Sequence, residues 1–442
     1  MSDLYAQFSA FLSSYCSSQS RLIIGLSGGV DSRVLLALTA RYSREKQVSC
    51  IAVHVHHGLS PNADDWAAQC ALWCEQSGVE LIVEKVSLMR QGGESIEQLA
   101  REARYTALKK HIQSANDCLL IGQHADDQLE SFFLALKRGS GPKGLASMAA
   151  VAPFGAGKRL RPLLQIRRHE IEAFAQQQQL DWVEDESNQD IRFDRNFIRH
   201  HVVPHLSERW PAFPQAAQRS ASLCAQQEAL LDELLEDKYQ QLQNDDLSVS
   251  IDALKKCSDL MRQRLLRMWF QQHQYPMPSL AHLGRIWAEV ACAQSDANPR
   301  LKLGKCEVRR FNGCLYLVPH QSDVTDWKHD IKCNQELILP DHLGSLCLQC
   351  ELMEPVGVLG MDLSECDPNH FWVTFNPQGL SAHPVERGHR RKLKKLFQEY
   401  GVPSWLRRRI PILMYQDNVV CVAGLFIDRA FSGQSAQLIW RP

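Results

Sequence analysis

Residues 21–33 read RLIIGLSGGVDSR. An apolar run from Leu22 to Leu26 meets Ser27, Gly28 and Gly29, and Asp31 and Ser32 follow at once. A strand is therefore expected to run into a tight turn and then into a helix. Glycines let backbone amides come close to a ligand, and a helix start presents unpaired N–H groups with a partial positive charge. Ser27 and Ser32 add hydroxyl donors. No Lys follows the glycines, so this is not the G-x-x-x-x-G-K-[ST] phosphate loop. The ordinary alternative is a glycine-rich turn with Asp31 or Ser32 as an N-cap.

Around this stretch the chain alternates. Residues 21–27, 48–55, 79–86 and 117–123 read as strands rich in Val, Ile and Leu. Residues 31–44, 62–77, 95–114 and 126–137 carry apolar positions at helical spacing. Near-continuous apolar strands separated by helices predict a parallel sheet covered on both faces. Ligands of such sheets bind beyond the carboxyl ends of the strands, so function belongs in the loops after residues 27, 55 and 123. The last of these opens the cluster 122–130, GQHADDQLE. Asp126 and Asp127 lie four and three residues before Glu130, so either can share its helix face. A capped, solvated helix start would look similar. Its place after a parallel strand, and the polar His124 and Gln128 within it, favour a nucleotide or metal site.

Two resemblances follow from these residues. S-G-G-x-D-S at Ser27, Gly28, Gly29, Val30, Asp31 and Ser32 resembles the pyrophosphate-loop signature of ATP pyrophosphatases, the PP-loop superfamily. That implies a Rossmann-like α/β domain in which this loop holds ATP phosphates and Asp31 lies near Mg²⁺. Next, HADDQxE and RGSGPKGLASM at 138–148 resemble the tRNA(Ile)-lysidine synthase family. So do VHVHHGL at 53–59, REARYTAL at 101–108, RPLL at 161–164, VEDESNQDIRFDRNFIRHHVVPHL at 183–206 and, near the end, VERGHRRKLKKLFQEYGVPSWLRRR at 385–409. The resemblance implies adenylation of O2 of the wobble cytidine of tRNA(Ile) with a CAU anticodon. Free L-lysine then attacks C2 and displaces AMP, changing codon and amino-acid specificity. It further implies ATP as substrate and Mg²⁺ as cofactor. Asp31, Asp126, Asp127 and Glu130 are the metal candidates; Asp31, Asp127, Glu130, Arg195 and Arg199 are the catalytic ones. One of Arg195 and Arg199, four apart on a helix, would contact phosphates or tRNA, unless the pair only makes salt bridges. Glu130 and His124 are candidates for accepting the lysine proton. Some members of the family are dimers; the sequence leaves the oligomeric state open.

Composition bounds the rest. The chain has 442 residues, enough for two to four domains, and 49 Lys+Arg against 50 Asp+Glu. A globally basic nucleic-acid coat protein is excluded, but a local basic face is not. Arg387, Arg390, Arg391, Lys392, Lys394, Lys395, Arg407, Arg408 and Arg409 fall in one span with Glu399 as its single acid. This is the pattern of a phosphate-backbone footprint, and it is the candidate tRNA-binding segment. Arg390 with Lys394 and Arg391 with Lys395 are expected on adjacent rows of a helix, with Leu393, Leu396 and Phe397 facing a core. The fifteen cysteines are scattered, which suggests reduced thiols in a cytoplasmic protein. No apolar run approaches membrane-spanning length and no secretory leader is evident.

The domains expected are 1–212 for catalysis, 213–320, mainly helical and ending in a hairpin at 306–318, and a small α+β domain at 331–442. The turn of the hairpin is Asn312–Gly313. A short helix at 196–206 should close at Pro204, with a boundary near 208–214, helices over 215–295, a linker at 320–330, and strands at 346–353 and 418–427. Cys347 and Cys350 form a lone C-x-x-C without a second pair and do not read as a metal site. Cys70 and Cys74 read as core, and His54, His56 and His57 as structural or near the nucleotide. The competing functions are a PP-loop tRNA thiolase, for which Cys50 and Cys118 are poorly placed, and an inactive tRNA-binding protein.

Overall fold

The computed structural model describes residues 4–58, 60–87, 96–294, 297–350 and 360–442. The chain divides into two compact units, Met1–Leu234 and Leu235–Pro442, and the division falls within one long helix.

The first unit begins with α1 (Leu4–Tyr15), β1 (Arg21–Gly25), α2 (Val30–Lys46), β2 (Ser49–His56), α3 (Ala63–Ser77), β3 (Glu80–Lys85), α4 (Ile96–Lys109), β4 (Asp117–Leu120) and α5 (Ala125–Lys137). The predicted alternation is thus observed, although α4 ends five residues early and residue 95 lies outside the described residues. Next come α6 (Pro142–Leu145), β5 (Val151–Phe154), β6 (Gly157–Leu160) and α7 (Arg168–Gln177). The sheet order is β3-β2-β1-β4-β6-β5, parallel except for β5 against β6. The β5–β6 hairpin was not expected, because four-residue strands reading VAPF and GKRL carry too little apolar pattern to announce themselves.

Both faces of the sheet are covered, as near-continuous apolar strands require. Leu22, Ile24, Cys118 and Leu120 pack with Phe8, Leu35, Trp73 and Ile171 on one face. Ile23, Val53 and Leu119 turn the other way, onto Leu108 and Ile112. Each such side chain contributes roughly 1.5–3 kcal/mol through burial. The chain builds outward from β1 to β2 and β3, then crosses back so that β4 takes the other flank of β1. That reversal opens a crevice above β1 and β4, and the 26–29 and 121–124 loops line it.

The unit ends with α8 (Asp194–Phe197), a π-helical turn (Ile198–Val202), α9 (Val203–Arg209) and α10 (Phe213–Leu242), which runs into the second unit. Here the expected helix end at Pro204 is corrected: Pro204 sits in the first turn of α9, where its missing N–H costs no hydrogen bond. The widened turn before it accommodates the carbonyls that a proline ring would crowd.

The second unit continues through β7 (Val249–Ser250), α11 (Ile251–Lys255), α12 (Asp259–Gln272), α13 (Leu280–Arg285), another π turn (Ile286–Ala291), β8 (Arg300–Leu303), β9 (Cys306–Phe311) and β10 (Cys314–Pro319). Asn312 and Gly313 have φ of 43° and 73°, as the predicted two-residue hairpin requires. Beyond lie β11 (Lys328–Asp330), β12 (Glu336–Ile338), β13 (Ser345–Cys350), β14 (Phe371–Thr374), β15 (Ser381–Ala382), β16 (Arg391–Lys392), α14 (Leu393–Glu399), β17 (Ile412–Tyr415), β18 (Asn418–Val422), β19 (Phe426–Ile427) and β20 (Ala436–Arg441). They form sheets β11-β14-β17-β18-β19, β12-β13-β20 and β15-β16.

Three expectations change in this unit, and part of a fourth lies outside the described residues. The supposed linker buries Val324 and ends in the edge strand β11. The 418–427 run is two strands, because Gly424 turns the chain at φ +70°. Residues 351–353 of the expected 346–353 strand lie outside the described residues. Cys350 is joined to Cys333 in a disulfide, against the expectation of reduced thiols, while Cys347 is free.

Candidate active site

The turn after β1 is held from inside by one hydroxyl. Ser32 Oγ accepts from the N–H groups of Ser27 and Gly28, at 3.2 and 3.0 Å, and from the Ser27 hydroxyl at 3.1 Å. It donates to the Gly29 carbonyl at 2.9 Å. Gly28 takes φ +97°, a conformation that side chains disfavour. The N-cap of α2 is Gly29, not Asp31 or Ser32, and it makes no side-chain cap bond. The first-turn N–H groups of α2 therefore keep their donors for an anion. The Val183 N–H closes the back of the turn by donating to the Gly28 carbonyl at 3.0 Å.

The second loop is pressed against the first. A Cβ on Gly122 would stand 3.0 Å from the Asp31 carbonyl oxygen and 3.3 Å from the Ser32 nitrogen. Two residues on, His124 caps α5, and Asp127 Oδ2 accepts from its N–H at 3.1 Å. The His124 ring is fully buried among three carboxylates. Its Nε2 is 3.6 Å from Asp31 Oδ1 and 3.5 Å from Asp127 Oδ2; its Nδ1 is 3.5 Å from Asp126 Oδ2. Burial disfavours the imidazolium, but Asp126, Asp127 and Asp31 together outweigh that and raise its pKa. Burial raises Asp31, against the pull of His124 and Arg168. Asp126 falls to about 2: burial opposes the change, but His124 and the Arg168 N–H, which it binds at 2.8 Å, prevail.

Glu130 faces guanidinium groups. Arg199 Nε and Nη2 lie 2.6 and 3.1 Å from its two oxygens, and Arg195 Nε is 3.1 Å from Oε2. Burial pushes Glu130 upward, while Arg199 and Arg195 oppose that; the same pair raises Arg199. Arg199 Nη2 also reaches Asp127 Oδ1 at 3.4 Å. The π turn that carries Arg199 is a geometry often found at functional sites.

Asp31 Oδ1 is buried and has no hydrogen-bond partner among the described residues. With Asp127 beside the same imidazole nitrogen, it offers the small carboxylate set that Mg²⁺ uses together with phosphate oxygens. Among the described residues no three His, Cys, Asp or Glu side chains form a closed metal cage.

Residues 2–206 match the PP-loop domain, 249–316 the TilS substrate binding domain and 372–441 the TilS substrate C-terminal domain. The tRNA(Ile)-lysidine synthase of Vibrio parahaemolyticus is 57% identical over 441 residues, covering 100% of this chain and 99% of its own. That of Vibrio vulnificus is 55% identical over 441 residues and covers all of both chains, and that of Photobacterium profundum is 46% identical over 99% of each. The chain belongs to the tRNA(Ile)-lysidine synthase family.

In this member of the tRNA(Ile)-lysidine synthase family, the crevice brings together Ser27 to Ser32, Asp31, Asp127 and His124. Glu130, Arg195 and Arg199 stand beside them, linked through Asp127. The expectation that Asp126 and Glu130 join Asp31 and Asp127 around a metal meets a different geometry. Asp126 is turned to the start of α7, and both Glu130 oxygens are engaged by arginine. His54 Nδ1 donates to the Leu26 carbonyl, 2.9 Å away, and burial lowers the pKa of the ring. Burial lowers His57 to about 4.

Sequence reasoning gave no role to Gly122 or Arg168, and took Gln128 only as a sign of a nucleotide or metal site. Arg168 Nη1 lies 3.8 Å from Asp31 Oδ2. Gln128 holds the backbone of Met148 in both directions, at 2.9 and 2.7 Å, so it docks the 138–148 loop onto α5.

The basic segment is corrected in shape. Only Leu393–Glu399 is helical, so Arg390 and Arg391 precede the helix and share no row with Lys394 and Lys395. Leu393, Leu396 and Phe397 are fully buried, as expected. Arg391 pairs with Glu399, Arg387 covers the Tyr400 ring, and Arg407 donates to the Val402 carbonyl. Arg409 is buried on Asp341. Arg390, Lys392, Lys394, Lys395 and Arg408 are exposed. Among the described residues no helix is long and apolar enough to cross a membrane.

Proposed function

We propose that this chain is a cytoplasmic, ATP-dependent ligase that converts the wobble cytidine of tRNA(Ile) with a CAU anticodon into lysidine. Cytidine O2 attacks the α-phosphorus of ATP, and the bond to the pyrophosphate leaving group breaks. The ε-amine of free L-lysine then attacks C2, the C2–O2 bond breaks, and AMP leaves with that oxygen. The observation that carries the reading is the contact of the 27–32 turn with the 122–130 loop above β1 and β4.

In this reading, the amides at the start of α2 bind phosphate oxygens, and the Ser27 hydroxyl joins them by turning from Ser32 to the ligand. Asp31 and Asp127 would hold Mg²⁺, which neutralises charge on the phosphates when bound. Arg199 and Arg195 are aimed by Glu130, Arg199 also reaches Asp127, and the two serve charge developing at the phosphates or bind the tRNA. Glu130 thereby orients cations, which leaves His124 as the remaining candidate for accepting the lysine proton. The exposed members of the 387–409 segment supply attraction for the RNA backbone.

The test is incubation of the purified chain with ATP, Mg²⁺, labelled lysine and unmodified tRNA(Ile). Label should enter the tRNA with one pyrophosphate released per lysine. Transfer of sulfur instead of lysine would indicate a thiolase, and ATP binding without pyrophosphate release would indicate an inactive binder.

A further inference from the structure

The second unit holds a covalent cross-link that the reaction does not use. Cys333 and Cys350, 17 residues apart, are joined in a disulfide with their Cα atoms 5.8 Å apart. The other cysteines are free thiols, among them Cys347 on the same strand as Cys350. Strand register explains the pairing. β12 meets β13 through Glu336–Cys347, Leu337–Leu346 and Ile338–Ser345, and the same register carried outward sets Cys333 opposite Cys350. Regular pairing stops before that point, because Asn334 takes φ +58° and turns the chain out of the strand. The Asn334 N–H donates to the Leu348 carbonyl at 2.8 Å, and the Asn334 side-chain oxygen accepts from the Cys350 N–H at 3.1 Å. The disulfide closes the end of the β12–β13 pair where the ladder leaves off.

The bond ties a weak edge to a firm sheet. β12 lies at the edge of its three-stranded sheet, and of its three residues only Leu337 is partly buried. A segment with so little buried surface opens at low cost. Cys350, by contrast, pairs with Ala436 of β20, and Leu346, Leu348, Met361 and Ala436 are buried around it. Neither cysteine is sealed in that core: both are half-buried at its margin. Cytoplasmic disulfides are usually transient or redox-sensing, and exchange requires that a thiolate reach one of the sulfurs.

We propose that Cys333 and Cys350 form a redox clasp that opens and closes in the folded protein and sets how firmly β12 is held. Closure consumes a low-molecular-weight disulfide. One cysteine thiolate attacks a sulfur of that disulfide, its S–S bond breaks, one small thiol leaves, and a mixed disulfide remains. The other cysteine thiolate attacks the protein-bound sulfur and expels the second small thiol. The cysteine pair gives up two electrons and two protons, and two small thiols receive them. A dithiol reverses the sequence. The clasp goes beyond the ligase reading and takes from it only the cytoplasmic setting.

The experiment equilibrates the full chain, folded, with mixtures of reduced and oxidised glutathione. Alkylation with peptide mass spectrometry then reads each thiol, and amide hydrogen exchange reads residues 332–338. Alkylation of Cys333 and Cys350 should disappear together as the oxidised fraction rises, and return with dithiothreitol without unfolding. Residues 332–338 should exchange roughly tenfold or more faster in the reduced chain. Cys333→Ser and Cys350→Ser should each exchange like the reduced parent in every mixture, while Cys347→Ser should behave as the parent does. The comparison of the parent with itself in two redox states needs no substitution, so a folding defect in a variant does not decide it. Alkylation of both cysteines in every mixture, resistance of the bond to dithiothreitol until the chain unfolds, or equal exchange in the two states overturns the proposal. No ATP or RNA enters the measurement, so its outcome is separate from that of the lysine incorporation assay.

Discussion

Gly122 lies against the backbone of Asp31, so close that a Cβ at 122 would stand 3.0 Å from the Asp31 carbonyl oxygen. This contact, made by an atom that is not there, sets how near the carboxylate loop comes to the phosphate turn. Gly122→Ala should push the loops apart by a few tenths of an ångström. Its stability cost is expected at about 1–3 kcal/mol, the range for overpacking. Activity should fall about tenfold or more, because small displacements of reacting groups are felt strongly. Pyrophosphate release beside thermal unfolding checks this; an active Gly122→Ala chain would show that the contact is incidental.

Ser32 organises the turn through four hydrogen bonds. Ser32→Ala leaves the Ser27 and Gly28 amides without their acceptor, at about 1–3 kcal/mol for such unsatisfied groups. The disordered turn should bind ATP more weakly, so ATP should raise the melting temperature of the variant less than that of the parent, while its KM for ATP rises. Equal thermal shifts in the two proteins would contradict a role in shaping the phosphate turn.

Glu130 is buried against Arg199 and Arg195. Glu130→Gln breaks a buried pair from one side and should cost about 3–5 kcal/mol. Arg199→Lys keeps the charge but loses the fork that reaches both carboxylate oxygens. It should therefore lose less stability than Glu130→Gln and still lower kcat. Urea unfolding and single-turnover rates of both variants separate these effects.

Asp117 lies at the opposite end of β4 from the crevice. It accepts from Arg21 and from the Gln113 and Ser114 amides, at 2.7 to 3.1 Å. Burial works against ionisation, but Arg21 and the two amides outweigh it and hold the carboxyl below its usual range. Its stabilisation is thus present above the unfolded Asp value of about 3.9 and is lost as pH falls through the lower folded value. Asp117→Asn should cost about 2–3 kcal/mol at pH 7, and the gap to the parent should narrow below pH of about 4. Denaturation series at pH 7 and at acid pH measure it; a gap that is constant with pH refutes the assignment.

Members of the basic segment should divide by burial. Arg409 bonds the Asp341 carboxylate at 2.9 Å and the Ser322 and Asp341 carbonyls, so Arg409→Ala should lower the melting temperature and leave the salt dependence of tRNA binding unchanged. Lys394 and Lys395 are exposed, and changing both to Ala should leave the melting temperature and reduce the salt slope by about two. Anisotropy titrations over a salt series distinguish the two outcomes.

Much of this was readable from local pattern. The apolar strands, the glycine turn and the Asn312–Gly313 hairpin each depend on a few neighbouring residues, and all appear where the sequence placed them. Short strands with mixed composition, such as β5, β6 and β11, were not readable, because their pairing is decided by partners distant in the chain. The helix expected to carry Arg390 and Arg391 as well as Lys394 and Lys395 starts later for a related reason: β16 pairs Arg391 and Lys392 with Ala382 and Ser381 before the helix begins at Leu393.

By itself, the sequence determined that a phosphate turn and an acidic loop follow two parallel strands, since hydrophobic period and glycine placement are properties of adjacent residues. Only the tertiary structure decided which acids face one another. His124 collects Asp31 and Asp127, while Arg199 and Arg195 claim Glu130 and the α7 backbone claims Asp126. Four carboxylates that look equivalent in the chain are separated by which buried cation or amide each one meets. Those partners lie on α7, on α8 and in the π turn, dozens of residues away in sequence.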